Sequence, residues 1–403
     1  MLYRLAFLGL VLIGVSHGWV PSFSLSSKLL SSTTRLFVNN VVLRPSQDPE
    51  AFDSFKIGSA RVHRYARDKY DGTAEAEYVM WYHGRSINFD SNQELPPLTT
   101  GRIGRATSLN GLVWEKCLDG SESEDAPDVS LGLNKESWWG FDTAHVGLGQ
   151  VLLPMSTPAV MAEGGIYLMY YMGGNFAETR IADYLENAPQ TDATIKGMQM
   201  KIGVAVSQDG ISWGRVEGDD PSGACMSPYD SSDPNMKSML SESAPVELEE
   251  ELYCGWPDVA VHADEDVEIA PGQRGKGFFM YYSTMRKSDK QKCVAYAISP
   301  DGFRWIKRGI CLEPDATGLD AAGCARCNVI QNAEFNEETI SWENVSGWTM
   351  YYEGVSKEDG KHRVLMAVSV DGVTWEKSGV ALDVGESQEA WDCMGVGSPH
   401  ILR

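Results

Sequence analysis

One phrase recurs four times along this chain of 403 residues: Ser, any residue, Asp or Asn, Gly, two further residues and Trp. The copies read SLNGLVW, SQDGISW, SPDGFRW and SVDGVTW, and they begin at residues 108, 207, 299 and 369. Each copy follows a short apolar stretch typical of a strand. Asp-Gly and Asn-Gly readily adopt the positive backbone angles of a tight hairpin turn. We therefore predict four β-hairpins, with structural turn residues Asn110, Asp209, Asp301 and Asp371.

A second phrase lies upstream of each hairpin and has the form Met, aromatic residue, Tyr. Its copies are Met80-Trp81-Tyr82, Met169-Tyr170-Tyr171, Met280-Tyr281-Tyr282 and Met350-Tyr351-Tyr352. The flanking residues are rich in aromatic and β-branched types, which favour strands. A strand is therefore predicted before each hairpin.

A third phrase of eleven residues occurs five times and comes before the Met phrase. Its copies are FDSFKIGSARV from 52, FDTAHVGLGQV from 141, EEELYCGWPDV from 249, LDAAGCARCNV from 319 and WDCMGVGSPHI from 391. The separation from this phrase to the next Met phrase is nearly constant in the four units that have both. Each complete unit therefore contains four strands, and this phrase marks the first of them.

Four antiparallel strands per repeat are typical of a propeller blade, so the predicted fold is an all-β, five-bladed β-propeller. The blades are expected at about 52–120, 141–217, 249–313 and 319–385, with a partial fifth at 391–403. Residues 36–43, LFVNNVVL, are able to donate one strand to that fifth blade. A truncated C-terminus or an unusual closure is expected from this pattern.

The first 45 residues have the composition of a leader, which leaves residues 46–403 as a single propeller domain. Residues 1–18 combine Arg4, a short apolar run and small residues, as a signal peptide does. Residues 19–45 contain Lys28, Arg35 and Arg44, many Ser and Thr, and no acidic residue, as in a transit peptide. The combination resembles the bipartite plastid leader of algae with secondary plastids. Plastid import is the first expectation and secretion the alternative; no membrane span is expected after cleavage.

A formal net charge of −22 argues against a nucleic-acid partner, since the phosphate backbone would be repelled. Neutral ligands such as sugars remain compatible with this charge. No cofactor and no metal are expected. Cys324-x-x-Cys327 is the only pair with zinc-ligand spacing, and buried thiols are the favoured interpretation. Asn344-Val345-Ser346 is a glycosylation sequon, which matters only for passage through the endoplasmic reticulum.

Blades of this kind with Ser-x-Asp-Gly-x-x-Trp hairpins resemble the arabinanase/levansucrase/invertase superfamily of glycoside hydrolases. The resemblance implies an axial funnel with three carboxylates: a base or nucleophile, a general acid Glu, and an Asp that tunes the acid. Trp256-Pro257-Asp258-Val259 resembles the segment that carries the tuning Asp. Asp258 and Asp142 are therefore the candidate catalytic residues, Asp142 as base.

Two of the three carboxylates expected from the resemblance are missing. The position of the acid Glu holds Gly58, Gly147, Gly255, Ala325 or Gly397. Ser398 stands where a further catalytic Asp is expected, in Ser398-Pro399-His400. Glu334 and Asp142 lie near strand ends and are possible substitutes.

Repetition helps to separate architecture from function, because catalysis requires asymmetry. The second position of the first-strand phrase is acidic in every copy: Asp53, Asp142, Glu250, Asp320 and Asp392. Such a column favours a structural role, with a ring of carboxylates at the channel mouth as the alternative. The tenth position differs in every copy: Arg61, Gln150, Asp258, Asn328 and His400. We predict that Arg61, Gln150, Asn328 and His400 bind substrate, together with Trp256 and Arg326; a satisfied internal network is the alternative.

Three functional hypotheses follow. The first is a glycosidase or transglycosidase that acts on a neutral sugar or oligosaccharide in the funnel. The second is a non-catalytic propeller that binds a glycan or a protein. The third is a glycoside phosphorylase, in which Arg61, Arg326 and His400 bind phosphate beside a single acid. His63 and His145 are weaker candidates for channel-lining residues.

Overall fold

A computed structural model provides the structure of this protein. It describes residues 12–13, 41–68, 74–87, 98–120, 126–153, 165–184, 192–233, 236, 248–270, 272–336, 338 and 341–402. Apart from the two-residue strand Leu12–Ile13, the predicted signal peptide and the transit-like segment up to residue 40 lie outside the described residues. None of the helices in these ranges is long and apolar enough to cross a membrane.

The structure is an all-β propeller in which four antiparallel sheets each have the predicted strand order. Blade 1 consists of Lys56–Asp68, Ala74–Arg85, Gly101–Ser108 and Glu115–Lys116, with Val129–Leu131 extending its outer edge. Blade 2 consists of His145–Leu152, Tyr167–Gly174, Lys201–Ser207 and Gly214–Val216. Blade 3 consists of Glu251–Ala270, Gln273–Arg286, Lys292–Ser299 and Ile306–Leu312. Blade 4 consists of Gly323–Asn336, Ser341–Val355, His362–Ser369 and Glu376–Leu382.

Short elements complete the described chain. The insertion between the second and third strands of blade 2 forms a small hairpin, Glu178–Arg180 with Thr194–Lys196. Two 3₁₀ turns lie at Leu98–Thr100 and Ile181–Tyr184. Ile401–Leu402 pairs in parallel with Leu12–Ile13.

The predicted count of five blades is not confirmed, because the described residues form four complete blades. The fifth first-strand phrase contributes only the strand Ile401–Leu402. Val42 and Leu43, at the end of the segment expected to donate a strand, have no strand structure and pack against the core of blade 1, as Leu402 does. The outward face of blade 4 is correspondingly open: Val368 is 40% exposed, whereas its counterpart Ile298 in blade 3 is 2% exposed.

The Ser-x-Asp-Gly-x-x-Trp phrase forms the turn between the third and outer strands of each blade. In blade 2, Ser207 Oγ accepts a hydrogen bond from Gly210 N at 2.8 Å. Asp209 Oδ1 accepts from Ile211 N at 2.8 Å and from Ser212 N at 2.9 Å. Gly210 adopts a φ of 72°, which only glycine adopts without strain. Asn110, Asp301 and Asp371 make the same contacts in their own turns.

The same turns connect neighbouring blades through the central aromatic residue of the Met phrase. Trp81 Nε1 donates to Gly210 O of the next blade at 2.9 Å. Tyr170 OH donates to Gly302 O at 2.9 Å, and Tyr281 OH donates to Gly372 O at 2.7 Å. A Cβ atom at any of these glycines would lie within 2.9 Å of the donor ring or its hydroxyl. The repeated Ser-x-Asp-Gly-x-x-Trp phrase therefore forms the turn within its own blade and also binds the neighbouring blade.

The final Tyr of the Met phrase anchors the acidic column within its own blade. Tyr82, Tyr171 and Tyr352 donate to Asp53, Asp142 and Asp320, and an outer-strand cation pairs with each carboxylate. In blade 3 the assignment of Glu250 to this column is wrong. Glu250 pairs with Lys287 at the surface, and Glu251 accepts from Tyr282 at 2.8 Å and pairs with Lys307. Glutamate has one more methylene than aspartate, which compensates for the shift of one residue.

Candidate functional site

The five tenth-position residues converge on the propeller axis, and Asp258 lies at their centre. Asn328 Nδ2 donates to Asp258 Oδ1 at 3.0 Å, Gln150 Nε2 donates at 3.3 Å, and Arg61 Nη2 lies 3.5 Å away. Val329 N donates to the other carboxylate oxygen at 2.7 Å. We call Arg61, Gln150, Asp258, Asn328 and His400 the Asp258 layer.

Every member of the Asp258 layer is buried, with exposed fractions from 0 to 8%. Burial lowers the pKa of Arg61 and raises that of Asp258, and their mutual attraction opposes both shifts. Asn328 Oδ1 accepts from Ile401 N at 2.9 Å, and His400 Nε2 contacts Val62 O at 3.1 Å. Burial lowers the pKa of His400 to about 3, so its ring is neutral and Nε2 is the donor. The layer is a largely satisfied network that joins first strands of different blades.

Asp142 has a similar enclosed setting in the acidic column. Its side chain has no exposed surface, and Oδ2 accepts from Tyr171 OH at 2.8 Å and from Arg215 Nε at 2.7 Å. This arrangement joins the second and outer strands of blade 2 to the start of its first strand. Asp142 therefore has the same architectural contacts as Asp53 and Asp320, and we do not propose it as a catalytic base.

A small pocket opens near the axis at the beginning of the first strands, and it encloses about 50 Å³. We call it the axial pocket; its lining residues are Lys56, Ile57, Gly58, Ser59, His83, Arg85, Met172, Trp256, Arg326, Glu353 and Ser398. They come from all four complete blades and from the fifth first-strand segment. Unlike the Asp258 layer, this region combines charged residues with open space.

An unusual backbone conformation shapes the axial pocket. The eighth residue of four first-strand phrases has a left-handed φ, between 45° and 50°: Ser59, Trp256, Arg326 and Ser398. Bulges interrupt the pairing of the first and second strands at these positions in blades 1, 3 and 4. A bulge redirects side chains, and left-handed non-glycine residues cost free energy, so such positions cluster at functional sites. Because four of the five copies share this conformation, it belongs to the repeat, and it places the eighth-position residues of different blades around one pocket.

Glu353 is a buried carboxylate in the wall of the axial pocket. It accepts hydrogen bonds from Arg326 Nη1 at 2.7 Å and Ser398 N at 2.9 Å, and it contacts His362 Nδ1 at 2.6 Å. Burial favours the neutral acid, but the charge of Arg326 and the contact with His362 dominate and lower the pKa of Glu353 to about 2. Glu353 is therefore ionised at neutral pH and links the fifth first-strand segment to blade 4.

Three cationic side chains share the axial pocket with Glu353. Burial and the charges of Arg85 and Arg326 lower the pKa of Lys56 to about 7. Burial, followed by the charge of Arg326, lowers the pKa of Arg85 to about 10. Lys56 lies directly opposite Arg85 in the pairing of the first two strands of blade 1, so these two cations are close enough to repel one another. Among the described lining residues, Glu353 is the one carboxylate that offsets them.

His83 adds a hydrogen-bond donor to the axial pocket. Arg85 Nε donates to His83 Nε2 at 3.2 Å, so Nε2 is the acceptor. Burial and the charge of Arg85 hold the pKa of His83 well below its usual value, which makes the ring neutral. The proton of a neutral ring must then be on Nδ1. That atom is buried and has no partner among the described residues.

Trp256 and Arg326 form one wall of the axial pocket as a stacked pair. The guanidinium carbon of Arg326 lies 4.5 Å from the ring centroid of Trp256. Arg326 N donates to Ser283 Oγ at 2.7 Å, which fixes the strained backbone beneath the stack. A planar guanidinium held on an aromatic face is well oriented to bind a planar or tetrahedral oxyanion.

The predicted binding residues divide between the two levels. Trp256 and Arg326 line the axial pocket, and Arg61, Gln150, Asn328 and His400 belong to the Asp258 layer. Glu334 is exposed six residues beyond Asn328 on the same strand and pairs with Glu343 across the sheet. Cys324 and Cys327 are buried thiols. The ring nitrogens of His63 contact Tyr65 OH and Val151 O, and His145 Nε2 contacts Gly197 O.

The sequence interpretation missed Lys56, His83, Arg85 and Glu353. A signal was present for two of them, because the residue after the Met phrase differs in each blade: His83, Met172, Ser283 and Glu353. The asymmetry criterion that selected the tenth position also selects this column. Lys56 and Arg85 carry no comparable signal, since they become neighbours only through strand pairing, at Lys56↔Arg85.

Fold and site together define a β-propeller with a charged axial pocket. Solved structures to which the chain is similar include glycoside hydrolases and a glycoside phosphorylase. One is a glycosyl hydrolase from Bacteroides ovatus, with 13% identity, coverage of 90% of this chain and 85% of that one, and a TM-score of 0.49. Another belongs to the GH130 family of mannoside phosphorylases, which contains hydrolases that target β-1,2-mannosidic linkages in Candida mannan; identity is 12%, coverage 90% and 86%, and the TM-score 0.45.

A third is the β-1,2-mannobiose phosphorylase from Listeria innocua, with 9% identity, coverage of 80% of this chain and 78% of that one, and a TM-score of 0.41. No protein family profile matches the chain, and no curated protein matches it. At these identities the similarity concerns the course of the chain. The chemistry has to be read from the site itself.

Proposed function

We propose that this protein is a carbohydrate-binding propeller whose axial pocket recognises one end of a glycan. The observation that carries the proposal is the convergence of non-repeating residues from different blades on one strained pocket. Trp256, Ser59 and Ser398 supply the aromatic and hydroxyl groups that sugar ligands require, and Arg326 and Glu353 supply charged hydrogen-bond partners. Sites of this composition, concave with few oriented polar groups, are typical of small-ligand recognition.

Hydrolysis through two carboxylates is less well supported than binding. Glycosidases of this kind need one carboxyl group with a raised pKa as acid and a second as base or nucleophile. Asp258 and Asp142 have no exposed surface. Glu353 has a pKa near 2, so it is a poor proton donor at neutral pH. The described lining of the axial pocket offers no second carboxylate beside it.

Phosphorolysis is the second candidate function, and the cations of the axial pocket favour it. Lys56, Arg85 and Arg326 lie beside the single carboxylate Glu353, so the attacking group in that reaction would be a phosphate ion bound by these cations. The phosphate-binding set is revised accordingly, because Arg61 and His400 belong to the Asp258 layer. Only Arg326 is retained from the set predicted by the sequence.

The experiment that separates these functions uses the purified protein and aryl glycosides, with and without inorganic phosphate. Binding without turnover, detected by isothermal titration calorimetry against a panel of monosaccharides and oligosaccharides, supports a binding propeller. Turnover that requires phosphate supports phosphorolysis. Turnover without phosphate contradicts both and restores the hydrolase hypothesis. Absence of sugar binding and of turnover overturns the assignment to carbohydrates.

Plastid import remains a proposal that rests on the leader composition alone. Fusion of residues 1–45 to a fluorescent protein in an alga with secondary plastids tests it. Plastid fluorescence supports the bipartite leader, and secreted fluorescence supports the alternative. A matched fusion of residues 1–18 should enter the secretory pathway without reaching the plastid.

A further inference from the structure

We propose that the ligand of the axial pocket is an anionic sugar, whose oxyanion, a phosphate or carboxylate group, binds between Lys56, Arg85, Arg326 and His83. This inference rests on the proposed carbohydrate-binding function and narrows its ligand class. It differs from the expectation of a neutral sugar, and it assigns a role to residues outside the Asp258 layer.

Charge is the first reason. Three cationic side chains line the axial pocket against one carboxylate, so the described lining has an excess of positive charge. The whole chain has a formal charge of −22, so this excess is a local exception in an acidic protein. Cations held together against their mutual repulsion destabilise the free protein and are stabilised by an anion. A neutral sugar does not relieve this repulsion.

Hydrogen-bonding geometry is the second reason. The donor at His83 Nδ1 is buried without a partner among the described residues, and an unsatisfied buried donor destabilises the free protein. Arg85 Nε already donates to His83 Nε2, which fixes the ring so that Nδ1 is the proton donor. An oxyanion has acceptor atoms and no competing donor, so it suits this histidine and the two guanidinium groups together.

Size is the third reason. The pocket holds about 50 Å³ of space for water-sized groups, and one buried water molecule needs roughly 10–15 Å³ of such space. The pocket therefore has room for a group of a few heavy atoms, such as a phosphate or a carboxylate. An oxyanion attached to a sugar fits this space, with the charged group in the pocket and the ring beside Trp256.

The test measures binding by isothermal titration calorimetry with four probes: glucose 6-phosphate, glucuronate, glucose and inorganic phosphate. We expect an anionic sugar to bind at least tenfold more tightly than glucose and than inorganic phosphate. Added salt should lower the affinity for the anionic sugar. The two anionic sugars distinguish a phosphate from a carboxylate as the bound group.

Variants then locate the bound anion. Arg85→Gln should weaken binding of the anionic sugar at least tenfold, because a charge-assisted hydrogen bond is lost. Arg304→Gln is the matched control, since Arg304 is 76% exposed in a turn of blade 3, and it should bind as the wild type does. Lys56→Gln provides a second variant if Arg85→Gln does not fold.

Each further outcome has a defined meaning. If glucose binds as tightly as the anionic sugars, the inference is wrong while the carbohydrate-binding function stands. If inorganic phosphate binds as tightly as glucose 6-phosphate, the sugar contributes nothing and the inference is wrong, in favour of a phosphate site. Anionic binding that Arg85→Gln and Lys56→Gln leave unchanged also overturns it, as does failure of all four probes to bind.

Discussion

The Asp258 layer and the axial pocket both contain first-strand residues, from the tenth and the eighth positions of the repeated phrase, and the pocket adds residues of second strands such as Arg85 and Glu353, yet their charges are organised differently. In the Asp258 layer, one carboxylate receives three side chains and a backbone amide, and no member is more than 8% exposed. In the axial pocket, three cations share one carboxylate around open space. Both positions escape the repeat, so asymmetry alone does not identify a binding site. An excess of cations beside a cavity distinguishes the axial pocket from the Asp258 layer.

The largest expected effect comes from breaking the Asp258 layer. Asp258→Asn keeps the side-chain shape but leaves Arg61 buried without a counter-charge, so we expect a loss of about 3–5 kcal/mol in the free energy of unfolding. Urea denaturation measures this loss. Asp183→Asn is the matched control, because Asp183 belongs to an exposed ion pair with Arg180, and it should change the unfolding midpoint little.

The variant also tests the assignment of Asp258 to architecture. If folded Asp258→Asn protein keeps its affinity for ligand, the Asp258 layer supports the pocket without contacting the ligand. If the Asp258→Asn variant is as stable as the wild type but does not bind ligand, that assignment is wrong and Asp258 is a functional residue.

Removing Glu353 should have an intermediate effect that an anion reverses. Glu353→Gln removes the counter-charge of Arg326 and weakens the bond from Ser398 N, so we expect about 2 kcal/mol of destabilisation. Loss of the negative charge also increases the excess of cations. Inorganic phosphate should therefore raise the melting temperature of this variant more than that of the wild type.

Two controls accompany Glu353→Gln. Glu313→Gln removes a carboxylate that is 56% exposed and paired with Arg286, and phosphate should not affect it differently from the wild type. Asp258→Asn should show no added stabilisation by phosphate, since its layer offers no space. Equal stabilisation of all three variants would contradict the distinction between the two regions.

The pH dependence of binding should be smaller and specific to the axial pocket. Lys56 has a pKa near 7, so its charge is lost as the pH rises from 6 to 8.5, and anion affinity should fall severalfold. Lys56→Met should bind more weakly at pH 6 and show a flatter profile. A wild-type profile that is flat from pH 6 to 8.5 would contradict the role of Lys56.

The stability linked to Lys56 has the opposite sign. Its folded pKa near 7 lies below the ordinary value of 10.5 in the unfolded chain. The unfolded state therefore binds more protons between these values, and this group makes the folded state more stable as the pH rises through that window. His400, with a pKa near 3, stays neutral throughout, so the Asp258 layer should not add to this dependence through His400.

Much of the fold was predictable because short sequence phrases specify the turns and strands, and these phrases recur in each blade. The Asp-Gly turns, the strand order and the convergence of the tenth positions all follow from the register of the repeats. The contacts between Trp81 and Gly210, or between Tyr281 and Gly372, join residues far apart in sequence and required the structure. In blade 3 the acidic residue of the column is Glu251 and not Glu250. An alignment of the repeats without gaps is therefore wrong by one residue there, because the longer Glu side chain still reaches Tyr282.

The axial pocket was only partly predictable for a physical reason. Trp256 and Arg326 were selected from the sequence, but their role depends on a left-handed backbone at Ser59, Trp256, Arg326 and Ser398. Non-glycine residues in that conformation leave no pattern in the sequence. Strain is visible only where the surrounding strands hold it in place.

The strained backbone of the axial pocket, which the Asp258 layer lacks, gives the prediction with the smallest expected effect. Ser59 has a φ of 49° in the axial pocket, and a left-handed conformation costs a residue with a Cβ about 1–2 kcal/mol. Ser59→Gly removes this cost but increases the entropy of the unfolded chain by about 0.5–1 kcal/mol, so we expect a net gain in stability of up to about 1.5 kcal/mol. Ala60→Gly, at the next position with ordinary backbone angles, should destabilise instead. Thermal unfolding of these variants measures the strain, and Ser59→Ala, which removes the same hydroxyl but keeps a Cβ in the strained conformation, is the control for anion binding. If the strain serves the ligand, Ser59→Gly loses more affinity than Ser59→Ala, whereas equal affinities would show that the strained backbone has no part in binding.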